Sequence, residues 1–445
     1  MRKTLRKTLL TTAVFCAATA FGLLGEQTKV SKAADVEINE TNFKDKGVLN
    51  AANSADYNGD NNGILSDKEA ATVKNINVRD KTDDISWAVK YFPNLESVSI
   101  SEISDTETLN IGSKKIKTID IWSTSNVISL KDAAPIEVHI SLTGEKSTYD
   151  FSKAKGYENV TKLKIYGNEN IKKVIPANQA KLKELKMIGT SVSSYNASNL
   201  KNITTLDLSG NKLTSLNVSK NNKLTSLSCY SNKLTSLNLK SNTNLHDIGA
   251  GYNNLSKLDV SKNKKIVSVV AFANKLKGIT TPKNSKINRI DLSKNKVTSF
   301  APKQYKSLSE FYIANNSIKS LDISKNNKLC KLNVAGTKIK KVTPAKSARF
   351  NYISVGNNYG VLKPIKLQAN NTYIQVYFNI AKGKSVNLPK IMPALKGYKF
   401  TNGYCQNITV SSSGVIKALD NEFGFFNAKK GNQSIYITIN GGSYY

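Results

Sequence analysis

Residues 58 to 69, Asn-Gly-Asp-Asn-Asn-Gly-Ile-Leu-Ser-Asp-Lys-Glu, space oxygen-bearing side chains as a hard divalent cation requires. Asn58, Asp60 and Asn62 stand at the first, third and fifth places of a twelve-residue loop, the Ile64 carbonyl at the seventh, Ser66 at the ninth and Glu69 at the twelfth. Gly63 supplies the sharp turn at the sixth. Calcium takes about six to eight such oxygens, with the last carboxylate bidentate. Asp60 and Glu69 are the only ligands carrying full charge, so the affinity expected is at the weak, extracellular end of the range. Without metal, the segment reads as an Asn/Gly turn between short helices.

No other constellation points to chemistry. His139 and His246 lie far apart, each on a predicted strand, and read as isolated surface or edge histidines. No GxSxG, HExxH, Cys/His pair, P-loop or GxGxxG stands in a suitable strand and turn context, which argues against an enzyme. Beyond residue 34 the cysteines are Cys229, Cys330 and Cys405, an odd and scattered set that builds no disulfide framework.

The rest of the chain must therefore be read for architecture. Asparagine recurs every 21 residues at Asn211, Asn232, Asn253, Asn274, Asn295 and Asn316, then Thr337, then Asn358. Around each lies one frame: Leu206, Leu208, Asn211, Leu213, Leu216 and Val218 are followed by Leu227, Cys229, Asn232, Leu234, Leu237 and Leu239. Apolar residues alternate with polar ones before each Asn, which suits a short strand with one buried face. Stacked coils then give one parallel sheet, and an inward-turned Asn amide can both donate to and accept from the backbone of neighbouring coils. The expected fold is a leucine-rich-repeat solenoid, mainly β, with its parallel sheet on the concave face. Strand positions at 98, 119, 138, 163, 185, 206, 227, 248, 269, 290, 311, 332 and 353 predict thirteen coils. Solenoids grow by nearest-neighbour burial, so 445 residues need no single large core, but their ends need caps.

The frame LxxLxLxxNxLxxLDLxxN, matched where Asp259-Val260-Ser261-Lys262-Asn263 and Asp322-Ile323-Ser324-Lys325-Asn326 close their repeats, resembles the IRREKO-type bacterial leucine-rich repeat. The 58–69 loop fits the EF-hand pattern. With Ile38 to Phe43 upstream and Phe92-Pro-Asn-Leu95 downstream, it resembles the EF-hand-like N-terminal cap of secreted Firmicutes leucine-rich-repeat surface proteins. That resemblance implies a capping role, with calcium stiffening the first coil, and a function in protein or glycan binding. The far end resembles a bacterial group 2 immunoglobulin-like domain in Ser411-Ser-Ser-Gly414-Val-Ile416 and Lys429 to Ile437. The Trp-bearing strand of that family has no counterpart here, and a structural C-cap is the alternative.

These readings divide the chain into a signal peptide at 1–34, an acidic cap at 35–94, the solenoid at 95–361 and a C-terminal β-sandwich at 362–445. Arg2, Lys3, Arg6 and Lys7 precede the apolar run 8–25, and Ser31-Lys-Ala-Ala34 offers small residues for cleavage, so a secreted or wall-associated protein without a membrane span is expected.

The formal charge is +33, yet residues 35–110 carry fifteen acidic against seven basic side chains. The basic excess falls on the repeats, where Lys220, Lys223, Lys262 and Lys265 mark outer turns. Such a field attracts polyanions. Export favours anionic cell-wall polymers over nucleic acid, which is not expected as a partner. On the inner face the frame places Tyr230, Tyr252, Phe272, Arg289, Tyr312 and Tyr352, aromatic anchors among polar groups as in recognition surfaces. A protein or glycan ligand is expected there, and a structural envelope component without a selective ligand is the rival reading.

Overall fold

The computed structural model describes residues 35–53, 58–104, 107–124, 126–367, 374–380, 383–405, 408–418, 423–431 and 433–440. The N-terminal segment read as a signal peptide lies outside them. Among the described residues, eighteen strands share one sheet. From Asn75–Val78 to Tyr352–Gly356 its strands run parallel, each paired with the strand of the next coil, giving about fourteen turns of a β-solenoid. The register follows the repeat: Leu206 faces Leu227, Leu227 faces Ile248 and Ile248 faces Val269. These side chains, with Leu208, Cys229 and Ala250 two residues on, are buried and form one continuous spine. Alternation explains it, since successive strand residues point to opposite faces and every second one enters the core.

Each coil leaves the inner strand through a tight bend at the repeating Asn, crosses the outer face, and returns through a second bend. Residues 189, 210, 231, 252, 273, 294, 315 and 336, one before most of the repeating Asn, all have positive φ between 51° and 73°. Only Gly189, Gly210 and Gly336 adopt this left-handed backbone without a steric cost. Outer strands are short and pair only in places, as at Ser194–Asn196 with Ser215–Asn217 and Leu321–Ile323 with Val342–Pro344.

The first turn lies earlier than the frame predicts. Asn75–Val78, with Ile76 and Val78 buried, precedes the strand at Val98 and pairs with it in register. The cap packs on this turn. Asp45, 3% exposed, caps the helix Lys46–Ala52 by accepting from Val48 N at 2.8 Å, and its other oxygen accepts from Arg79 N at 2.8 Å and Asp80 N at 2.5 Å. One buried carboxylate thus ties the cap helix to the end of the first inner strand.

The C-terminal region is not a separately closed unit. Ile374–Asn379 pairs in parallel with Tyr352–Gly356, Gln433–Asn440 pairs in parallel with Ile374–Asn379, and Phe423–Lys430 and Lys399–Cys405 complete the sheet antiparallel. A second sheet of three strands, at Ser385–Asn387, Ile408–Val410 and Val415–Ala418, accompanies it. Val376, Phe378, Ile435 and Ile437 are buried, so the alternating strands of the tail extend the solenoid sheet past residue 361. Among the described residues no helix is long and apolar enough to cross a membrane.

Candidate recognition face and calcium loop

Both bends are stitched by asparagine. At the first, Asn232 Nδ2 donates to Leu208 O of the preceding coil at 2.9 Å and to Cys229 O of its own at 3.2 Å, while its Oδ1 accepts from Leu213 N at 2.9 Å. Asn253, Asn274, Asn295 and Asn316 repeat this arrangement. Asn211 donates to Met187 O at 2.8 Å and accepts from the Thr190 hydroxyl. At the far end Thr337 turns its hydroxyl to Val334 O at 2.7 Å, and Asn358 reaches Val334 O at 3.2 Å. The second bend holds a ladder that sequence reading absorbed into the repeat consensus. Asn221, Asn242, Asn263 and Asn326 are fully or nearly buried, each donating to two carbonyls, as Asn242 does to Val218 O at 3.0 Å and Asn221 O at 2.8 Å. The sign was present: three of these Asn also stand 21 residues apart.

On the sheet between the ladders, six aromatic side chains gather into two clusters, while Trp122 and Tyr166 are exposed on earlier strands of the same sheet. Phe272 packs edge-on against Tyr252 with ring centroids 4.9 Å apart, and lies 5.9 Å from Tyr230. Gly249 and Gly251 make the floor beneath them. A Cβ at Gly249 would come within 2.3 Å of the Tyr230 ring, and one at Gly251 within 2.8 Å of Phe272. The rings therefore lie directly on backbone, and any larger residue at either place would push a ring aside. Tyr252 is 52% exposed and sits at φ 51°, in the left-handed region that its counterparts fill with Gly, Ser, Ala, Lys or Asn. Burial pushes the Tyr230 hydroxyl up to about 12, so it stays a neutral hydrogen-bonding group.

The second cluster runs from Tyr312 through Tyr352, centroids 6.0 Å apart, to Tyr377, a further 5.3 Å on. Tyr377 belongs to the segment beyond residue 361, where the repeat frame gives no guidance. Glu310 organises the polar side. It accepts from Lys331 Nζ at 2.7 Å and from the Tyr312 hydroxyl at 3.2 Å, and lies 3.3 Å from Arg289 Nη1. Burial alone would raise its carboxyl, but Lys331 and Arg289 outweigh that and hold it below the usual range. The Arg289 guanidinium sits 5.6 Å from the centre of the Tyr312 ring, a cation–π contact that fixes both. Of the expected face residues, Tyr230, Tyr252 and Phe272 come together, as do Arg289, Tyr312 and Tyr352.

His139 is not isolated. Its Nδ1 meets Asp120 Oδ1 on the preceding strand and its Nε2 meets Glu137 Oε1 at 2.7 Å, while Glu137 also accepts from Lys164 at 2.7 Å and Lys162 at 3.3 Å. The hydrogen bond to Asp120 raises the imidazole pKa, burial opposes, and Glu137 adds to the rise. A raised folded-state value means the network's contribution is complete below the unfolded value of about 6.5 and is lost as pH climbs through the higher folded one. The expected result is that stability falls as pH rises above about 6.5 by an amount absent in His139→Gln, measured by urea unfolding at each pH. His246 lies in the bend before Asp247, its Nδ1 2.8 Å from Asn244 O, in no comparable network.

In the loop, Asn61 and Gly63 both adopt positive φ, at 58° and 77°, and bend the chain back on itself. Asp60 Oδ1 accepts from Asn62 N at 3.2 Å and Asn62 Oδ1 from Ile64 N at 2.7 Å. Ile64–Leu65 pairs antiparallel with Val36–Glu37. Ser66 and Glu69 form a capping box for the helix Asp67–Ala70, Ser66 Oγ donating to Glu69 Oε2 at 2.7 Å. The Ser66 hydroxyl and backbone, with the Gly59 and Asp60 amides, hold the Glu69 carboxyl low. Asn58 is 1% exposed, and neither amide atom has a hydrogen-bond partner among the described residues. A buried amide at the first ligand position, its oxygen meeting no donor among the described residues, is chemically suited to a cation. No cluster of three or more His, Cys, Asp or Glu side chains among the described residues is placed to hold a metal, and of the six loop ligands only Asp60 and Glu69 carry charge.

No known family model matches the chain, and no curated protein matches it by sequence. Solved structures do. An internalin of Listeria monocytogenes, InlF, is 15% identical with a TM-score of 0.52, covering 73% of this chain and 98% of its own. The functional domain of InlJ from the same organism, which includes a cysteine ladder, is 14% identical with a TM-score of 0.45, covering 92% and 99%. YopM from Yersinia pestis, a leucine-rich effector protein, is 18% identical with a TM-score of 0.37, covering 64% and 75%. At these identities the likeness to InlF speaks to architecture, and it agrees with the stacked register read directly from the strands: the chain has the internalin-like leucine-rich-repeat solenoid fold.

Proposed function

We propose that the chain is a secreted, envelope-associated binding protein of the host-interaction type that recognises a protein ligand through its concave face. One observation carries this: two aromatic clusters, one seated on a glycine floor and one braced by Arg289 and Glu310, lie on the same inner sheet. Tyr and Arg in packed surroundings are the side chains that dominate binding energy, and the rigid strands beneath limit the ordering cost on association. The resemblance to surface proteins, and the fold shared with the Listeria internalin, support the same class of role. Ring faces beside Asp and Ser also suit a sugar, so glycans are the second ligand class to screen. The test is a binding screen against host-surface proteins and glycans with the purified chain and a Tyr252→Ala/Tyr312→Ala variant. The reading expects a selective ligand lost in the variant; equal binding by both would leave a structural envelope component.

The loop at 58–69 is read as a weak calcium site, with Asn58, Asp60, Asn62, Ile64, Ser66 and Glu69 as ligands and the buried Asn58 amide as its support. Bound calcium would supply charge that fixes the loop against the strand Val36–Glu37 and stiffens the cap on the first turn. A ligand that binds only the folded state stabilises by mass action. Millimolar calcium is expected to raise the melting temperature of the cap by a few degrees, roughly 2–5 °C, in the native chain. Differential scanning calorimetry with and without chelator should find no such shift in Glu69→Ala. The basic repeats are read as retaining the protein on anionic wall polymers, which predicts release from isolated walls as salt rises.

A further inference from the structure

The lysines of the repeats are not evenly spread. The bend that carries the second Asn ladder occupies residues 197–204, 218–225, 239–246, 260–267, 281–288, 302–309, 323–330 and 344–351 in eight successive coils. Every one of these segments holds at least one Lys or Arg, and none holds Asp or Glu. The opposite bend carries fewer. Lys212, Lys233, Lys275 and Lys296 follow its ladder Asn, and its eight segments of equal length, from 208–215 to 355–362, are likewise free of Asp and Glu but hold eleven Lys against fifteen Lys and Arg, with none in 355–362. Acidic side chains are confined to the inner and outer faces, where Asp322 lies 3.3 Å from Lys303 and Asp259 stands near Lys240 and Lys262.

Closest to the inner sheet, one register column holds Lys223, Lys265, Lys286, Lys328 and Arg349, all exposed, with Asn202, Asn244 and Ser307 at its other three rungs. Two are held in place. Lys223 Nζ donates to Asn202 Oδ1 at 2.7 Å, and Lys265 Nζ to Asn244 Oδ1 at 2.7 Å, each one coil back. The ammonium groups are thus laid along the solenoid axis by the preceding coil. With rungs about 4.8 Å apart, eight of them make a positive track roughly 35 Å long.

We infer that this edge is a binding track for a flexible polyol-phosphate chain lying along the solenoid axis. The inference deepens the wall-retention reading above by naming one edge and one chemistry. Lysine ammonium groups act as point charges that suit singly charged phosphodiesters. A continuous acid-free row fits a linear partner with regularly repeated charge. The edge exposes no Tyr, Phe or Trp ring: Tyr305 and Phe350 are buried, and His246 is its one other ring. Single-stranded nucleic acid needs ring platforms for its bases, so a phosphodiester backbone without bases is the better match.

The test measures binding of the full chain to poly(glycerol phosphate) by calorimetry across a salt series. Six to eight charges engaged on a flexible polyanion predict a slope of log K against log salt of roughly −4 to −6. Lys223→Glu/Lys265→Glu/Lys286→Glu/Lys328→Glu should weaken binding at least about 100-fold, whereas Lys212→Glu/Lys233→Glu/Lys275→Glu/Lys296→Glu, an equal change of net charge on the other edge, should weaken it less than about 10-fold. If the first variant fails to fold, Gln at the same four positions gives the same ordering. Equal losses from both edges would overturn the track, as would tighter binding of single-stranded poly(dT) of matched charge. Native protein that still binds isolated walls but not poly(glycerol phosphate) would sink this inference alone, and failure to bind walls at low salt would sink the retention reading itself.

Discussion

Asn253→Ala is expected to cost about 2–4 kcal/mol of stability, the largest single effect available in the repeats without changing a hydrophobic residue. The side chain accepts from Leu234 N at 2.9 Å and donates to Cys229 O at 2.8 Å, all inside the bend. Alanine leaves the Leu234 N–H with no other partner in reach of its coil, and an orphaned buried donor is more costly than an under-used carbonyl. Cys229 O, by contrast, keeps the bond it accepts from Asn232 at 3.2 Å. Asn242→Ala in the second ladder should therefore cost less, about 1–2 kcal/mol, because Asn242 only donates, to Val218 O and Asn221 O, and its own oxygen has no partner. Exposed Asn238→Ala should change little. Urea unfolding followed by circular dichroism ranks the three, with m-values checked because solenoids can unfold by segments. Hydrogen exchange of the Leu234 amide gives the local readout: unchanged protection in Asn253→Ala would refute the account.

The repeat architecture was legible because burial obliges a period. Leu206, Leu227, Ile248 and Val269 must all enter one core, and a one-residue slip would expose the whole set. Where that constraint weakens, so does the reading. The turn at Ile76 and Val78 hides inside the acidic cap, because its strand is followed by a helix rather than by a ladder Asn. The pairing of Ile374–Asn379 with Gln433–Asn440 joins segments about sixty residues apart, and alternation predicts each strand but not its neighbour. The columns of side chains that make the proposed recognition face were legible, since register follows from the frame. What the columns omit is backbone: the closeness of Gly249 and Gly251 to the rings, and the left-handed conformation of Tyr252, depend on how the bend folds. His139 likewise gained its meaning only when Asp120, one rung earlier, was placed beside it.

That backbone at Tyr252 allows stability and recognition to be separated. A non-glycine residue at positive φ costs on the order of 1 kcal/mol, and the loss of an edge-on contact with Phe272 costs about as much. Tyr252→Gly exchanges one for the other, so its net effect on stability should lie within about 1 kcal/mol of zero. Ala273→Gly, at the equivalent φ of 52° one coil on and without an aromatic ring to lose, should be stabilising by roughly 1 kcal/mol and provides the calibration. Ligand binding should respond in the opposite manner. Tyr252 is the most exposed ring of its cluster, and truncating an aromatic anchor typically weakens association by 2 kcal/mol or more, about 30-fold. A residue kept at a conformational cost, exposed, and nearly neutral to stability is one whose contribution lies outside the folded chain. If Tyr252→Gly instead unfolded the repeats in step with lost binding, the ring would be a packing element of the bend, and the concave face would have to be redrawn around Arg289, Tyr312 and Tyr352.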